Sequence, residues 1–163
     1  MERRQIGLKL VLDQLGLPAR VETFEDRLIL QKAVYLAQAA GIHLGYYFRW
    51  YVRGPYCPSV SDDGYAISTE LSQSAEDFTG WTLDEASSAK LAKMHGVAAN
   101  LDRSALAKKL ELLASVHYLI DRNQVPDQSV GTVTDKLHAC DKQFTEQEVS
   151  VAIGELKTYG LLS

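Results

Sequence analysis

The chain has 163 residues, 46% of them hydrophobic and 23% charged, with a formal net charge of -4. That is the make-up of one ordinary globular domain, which excludes disordered, collagenous and coiled-coil chains and predicts a single domain over residues 1–163. No apolar run approaches the roughly 20 residues that span a bilayer, Met1–Leu10 lacks the apolar centre of a secretion signal, and Cys57 and Cys140 are too few for a disulfide framework, so a cytoplasmic protein with free thiols is expected.

Ile6, Leu10 and Leu15, with Leu8 and Val11 beside them, form a helical stripe over Glu2–Leu15 that Gly16 and Pro18 end. Thr23 or Asp26 can cap a second helix over Arg27–Ala40, closed by Gly41. Apolar residues surround this helix except along a narrow stripe of Arg27, Gln31 and Gln38, which predicts a central position. Tyr46–Val52 then alternates as a strand, with Tyr46, Phe48, Trp50 and Val52 inward and Tyr47, Arg49, Tyr51 and Arg53 outward. Gly54-Pro55 is read as its stop, and the pattern does not identify its pairing partner.

Val60–Leu71 reads as a short helix, Ser72–Thr82 as a loop, and Asp84–Leu101 as a helix capped near Asp84. Ser104–Arg122 places Leu106, Leu110, Leu113, Val116 and Ile120 on one face of a longer helix. Val130–Cys140 and Thr145–Tyr159 complete the set, the last opening in capping-box form at Thr145 and Glu148. The expected fold is mainly α with a small β element. The closing helix, turn, helix and Gly-Leu-Leu resemble the tail of a winged-helix domain.

Charge is uneven along the chain. Ala33–Arg53 holds two basic and no acidic residues, whereas Gly54–Ala89 holds seven acidic and no basic ones. A basic face beside an acidic one suits an oriented protein partner better than a phosphate backbone. The last helix, which would be the recognition helix of such a domain, makes the same point, since Thr145–Lys157 sets Glu146, Glu148 and Glu155 against Lys157 alone. Nucleic acid, held by a winged-helix-like regulator, is therefore the disfavoured alternative.

The ordered set Leu30-Gln31-Lys32, Tyr35-Leu36, Phe48-x-Trp50 and Tyr51-x-x-Gly54-Pro55-Tyr56-x-Pro58 resembles the signature of the Panacea domain group of SocA-like antitoxins, closest to its YwgA-like branch. The motifs span Arg27–Tyr65, about a quarter of the chain. The resemblance implies a compact helical domain with a small β-hairpin. It also implies neutralisation of a toxin by direct binding, or service as a protease adaptor for one.

Physical chemistry assigns these motifs a structural part. Gly54 can take backbone angles closed to other residues, Pro55 fixes the turn, Pro58 can begin the next helix, and Gln31 and Lys32 can bond the carbonyls of that turn, with Tyr35 a further member of the structural motif. Lys32 reaching a ligand in the cleft between helix and turn is the competing role. The outward Tyr47, Arg49, Tyr51 and Arg53, with Tyr56, Asp62 and Asp63 of the acidic stretch, form the expected partner-binding surface, because Tyr and Arg supply the contact area and forked hydrogen bonds of binding hot spots. No catalytic set, metal site or cofactor is expected. His43, His95, His117 and His138 are scattered, His138-x-Cys140 lacks a second ligand pair, and Ser59, Ser61, Asp62 and Asp63 have no nucleophile-and-base spacing.

Overall fold

The computed structural model describes residues 2–73 and 79–163. In chain order these form α1 (Arg3–Leu15), α2 (Phe24–Ala39), β1 (Arg49–Tyr51), β2 (Gly54–Tyr56), α3 (Pro58–Gln73), α4 (Glu85–Ala92), α5 (Arg103–Asp121), α6 (Val130–Ala139) and α7 (Glu146–Thr158). The protein is mainly helical with one small antiparallel hairpin. Part of the loop expected over Ser72–Thr82 lies outside the described residues.

Most of the helices begin where a side chain can take up a free N–H group. Thr23 Oγ1 accepts from Asp26 N at 3.0 Å while Asp26 returns a bond to Thr23 N, and Thr145 and Glu148 repeat the device on α7. Asp84, Asp102 and Ser129 cap α4, α5 and α6. Pro58 opens α3, a position that needs no N–H.

The frame is the pair α2 and α5, which pack most extensively on each other. α2 is buried from Ile29 through Ala37, and α5 from Leu110 through His117. The single apolar face expected of α5 is therefore enlarged, because neighbours cover it on every side: α2, β2, α6 and α7. On the other flank α1 packs on α2, α3 and α4. α3 comes close to α2 because Gly64 has no side chain; a Cβ there would lie 2.5 Å from Leu30 Cδ2 and 3.0 Å from Val21 Cγ1. α6, a turn and α7 form a helix-turn-helix against α5, and among the described residues no strand follows it.

Two expectations about boundaries are corrected. The strand expected over Tyr46–Val52 is only Arg49–Tyr51, and its partner is the Gly-Pro-Tyr segment itself, with Arg49 opposite Tyr56, Trp50 opposite Pro55 and Tyr51 opposite Gly54. Gly54-Pro55 does not stop the strand. The two-residue turn is Val52-Arg53, so Val52 sits at the tip, 85% exposed, instead of facing the core. Upstream, Gln38 bonds Tyr46 N and O in place of a neighbouring strand, while Tyr46 and Phe48 remain buried. The helix expected over Asp84–Leu101 ends at Ala92. Beyond it Met94, His95 and Val97 close turns onto the residue three back, and Gly96 (φ 82°) and Asn100 (φ 60°) are left-handed, which an α-helix excludes.

Candidate functional site

The hairpin is bound to the α2–α5 frame by the side chains of the Leu-Gln-Lys motif. Gln31 Nε2 donates to Cys57 O at 2.8 Å and to Ser61 Oγ at 2.9 Å, and its Oε1 accepts from Cys57 N at 2.9 Å. Lys32 Nζ donates to Pro55 O at 2.6 Å. Pro55 has no N–H, so this carbonyl is the one polar group its backbone must satisfy. Tyr35, further along α2, shares a 2.7 Å bond with His117 Nδ1 and meets Phe48 edge-on at 5.3 Å. The stripe of Gln31 and Gln38 that sequence marks as the polar side of α2 is thus the side that holds the hairpin and the segment leading into it.

Gly54 is required twice over. Its φ is 90°, and a Cβ would fall well under 3.0 Å from Ser115 Oγ on α5, with Lys32 Nζ 3.8 Å away. Ser115 Oγ is itself buried and has no hydrogen-bond partner among the described residues.

Beneath the hairpin lies a group of buried charges drawn from three elements. Lys32 is 1% exposed, Lys142 4% and Glu111 7%. Lys142 Nζ donates to Val52 O at 2.8 Å and lies 3.6 Å from Glu111 Oε2; Arg53, over the Phe24 ring, reaches Glu111 Oε1 at 3.9 Å. Two cations therefore pair with one carboxylate, and Lys32 feels its field. Burial pushes the Lys32 ammonium down to about 7, with Glu111 opposing the shift and Lys142 adding to it. Burial also lowers Lys142, against the pull of Glu111.

Two clefts open on either side of the hairpin tip. The larger, about 920 Å³, runs between the tip, the start of α2 and the α6–α7 turn, and includes Glu111, Cys140, Lys142 and Phe144. The smaller, about 290 Å³, lies between α2 and the hairpin, with Gln31, Lys32 and Ser61 among its walls. Phe24, Leu28, Tyr51, Val52 and Arg53 line both. Phe24 (53% exposed), Tyr51 (50%) and Val52 therefore form a solvent-facing apolar rim.

The sequence-predicted surface divides into three parts. Tyr51, Arg53 and Tyr56 gather at the tip, where Tyr51 and Tyr56 meet edge-on at 5.3 Å. Tyr47 and Arg49, both exposed, pair with each other at the strand's entrance, the guanidinium 5.5 Å from the ring centroid. Asp62 is exposed on α3. Asp63 is not part of this surface. It is buried, accepting from Arg4 Nε at 2.8 Å, Gln5 Nε2 at 3.0 Å and the Tyr46 hydroxyl at 2.6 Å, which ties α1 and the strand's entrance to α3. Burial works to raise the Asp63 carboxyl, and the three donors outweigh it and hold the group below its usual range.

Of the histidines, His117 is buried and its pKa lowered by that burial, and His138 Nε2 bonds Phe144 O at 2.8 Å. Among the described residues no three His, Cys, Asp or Glu side chains converge as metal ligands, and no helix is long and apolar enough to cross a membrane. On α7, Glu148 pairs with Lys108 at 2.8 Å and Glu155 with Lys109 at 3.2 Å, so these carboxylates serve packing on α5.

Sequence reading does not single out Phe24, Glu111, Ser115 or Lys142. Glu111 leaves a trace, as an acid within Leu-Glu-Leu-Leu on an apolar helix; Lys142 leaves none, since its partners are 31 and 90 residues away. The architecture defined by these contacts is a helical frame carrying a hairpin clamped over a buried, cation-rich seam. Against known protein families, curated proteins and solved structures the chain finds no match.

Proposed function

We propose that this chain is a protein-binding module that receives its partner at the hairpin tip. One observation carries the reading: Phe24, Tyr51 and Val52 stand exposed beside Arg53 at the mouth of the 920 Å³ cleft. Exposed apolar groups gathered around a concavity are the pattern of a docking site, and Tyr and Arg are the residue types that dominate binding energy when such a site is covered. The rim stands on a rigid base, because Lys32, Gln31 and Lys142 fix both sides of the turn. Little ordering cost remains for binding. In the antitoxin-like role implied by the resemblance to SocA-like proteins, the partner is a cytoplasmic toxin, or a protease component to which a toxin is handed.

The test is co-expression with the products of neighbouring genes, scored by relief of toxicity and by co-purification. Tyr51→Ala combined with Val52→Ser should abolish both while leaving the thermal midpoint within a few degrees of wild type. Capture that survives this double change, or a loss of capture that merely follows a loss of folding, would remove the tip from the account.

A further inference from the structure

We propose that the 290 Å³ cleft between α2 and the hairpin binds a residue-sized organic carboxylate, with Lys32 at its floor and Arg53 at its mouth as charge partners. This goes beyond docking at the tip and stands whether or not a protein covers the hairpin.

The charge of the lining comes first. The chain as a whole is acidic, at -4, yet among the described residues this cleft is lined by Arg27, Lys32 and Arg53 and by no carboxylate. Arg27 is occupied with the carbonyls of Val21 and Glu22, which leave its charge uncancelled. Behind the cleft, Glu111 of α5 is shared among Lys142 from the α6–α7 turn, Arg53 of the hairpin and, by its field, Lys32. Lys142 and Glu111 form the buried pair and Arg53 is exposed, so Lys32, buried at the cleft floor, has no anion of its own among the described residues.

The second observation is the state of Lys32. It is 1% exposed, its ammonium has three donors, and among the described residues it makes a single hydrogen bond, to Pro55 O. Among the described residues Ser61 Oγ, in the wall, accepts from Gln31 and donates to none, and Ser115 Oγ, behind Gly54, has no partner. Polar groups this buried are normally paired. The remaining walls, Phe24, Leu28, Tyr51 and Tyr56, are apolar or aromatic, and the volume is at the small end for ligand pockets, which suits one ring or branched chain bearing one acid group.

Occupation has a proton signature. Above neutral pH the buried amine is largely uncharged, and a carboxylate placed beside it draws a proton from the buffer to complete the ammonium–carboxylate pair.

The experiment is calorimetric titration of the whole protein near pH ~8, in two buffers of different ionisation enthalpy, with four probes. These are phenylacetate, phenylacetamide, a short peptide ending in Phe with a free C-terminus, and the same peptide amidated. The expected result is saturable binding of an acid with net proton uptake, with the matching amide and the Lys32→Met variant each weaker by about tenfold or more. Binding of phenylacetate assigns the site to small acids, and binding of the free-acid peptide alone assigns it to a protein C-terminus. Arg53→Gln, at an exposed position, provides the second variant should Lys32→Met fail to fold, and should weaken the acids severalfold. The proposal is overturned if neither acid saturates, if an amide binds as well as its acid, if binding takes up no proton, or if a folded Lys32→Met protein binds as wild type does.

Discussion

Replacing Gly54 by Ala tests the packing of the hairpin on α5 with a magnitude the geometry supplies. Two costs are expected. At φ 90° a side chain is strained by about 1–2 kcal/mol. The new Cβ also collides with Ser115 Oγ inside the core, an overpacking cost of about 1–3 kcal/mol. The two costs are separable. Ser115→Ala removes the struck oxygen and leaves Ser115 Cβ 3.6 Å from the new methyl, an ordinary contact. Because Ser115 Oγ has no hydrogen-bond partner among the described residues, Ser115→Ala alone should change stability by less than about 1 kcal/mol. The pair should therefore couple: Gly54→Ala costs about 2–5 kcal/mol alone but only about 1–2 kcal/mol beside Ser115→Ala. Urea unfolding of the four proteins closes the cycle. Additivity within about 0.5 kcal/mol would refute the close approach of hairpin and helix.

Asp63→Ala should cost about 2–4 kcal/mol, since it leaves Arg4 and the buried Tyr46 hydroxyl without their acceptor; a change below about 0.5 kcal/mol in chemical unfolding would return Asp63 to the surface. The carboxyl is held below its unfolded value, so its contribution is fully present above the unfolded pKa of about 4 and is lost as pH falls through the folded one. Asp26, lowered by the donors at Thr23 and Arg103 against the effect of burial, adds in the same direction. An acid limb of the stability curve as steep in Asp63→Asn as in wild type would contradict this. Lys32 acts with the same sign in an alkaline window, although its shift comes from burial that penalises the charged form. Its folded pKa of about 7 lies below the unfolded one, so the unfolded chain binds more protons above pH 7, and stability should climb toward pH 9 by up to about 1.4 kcal/mol per unit. Lys142 adds to that slope, and Lys32→Met should lower it; identical slopes in thermal or urea unfolding from pH ~7 to ~9 would show that Lys32 is not desolvated.

Helices announce themselves because their signals are local. The Thr23 and Thr145 capping boxes, the Gly16 stop and the apolar stripes each lie within a turn or two of what they control. The hairpin is half legible for the same reason. Alternation identifies Tyr46 and Phe48 as inward, but Gly54-Pro55-Tyr56 carries no strand pattern of its own, and the bond that holds its Pro55 carbonyl comes from Lys32, 23 residues earlier. Asp63 reads as one more acid in an acidic stretch until α1 supplies Arg4 and Gln5 from 58 and 59 residues away. The cation-rich seam joins residues from α2, the hairpin, α5 and the α6–α7 turn, and no spacing in the chain encodes that meeting.

The claim that the hairpin tip receives a protein partner is tested most directly by placing a photo-crosslinking residue at Val52 in living cells, with a second protein carrying it at Val151, which is 49% exposed on α7. The account predicts one discrete protein adduct from position 52 that disappears when Tyr51→Ala is added, and no such adduct from position 151. The same adducts from both positions, or none from position 52 in cells that produce the candidate partner, would contradict it.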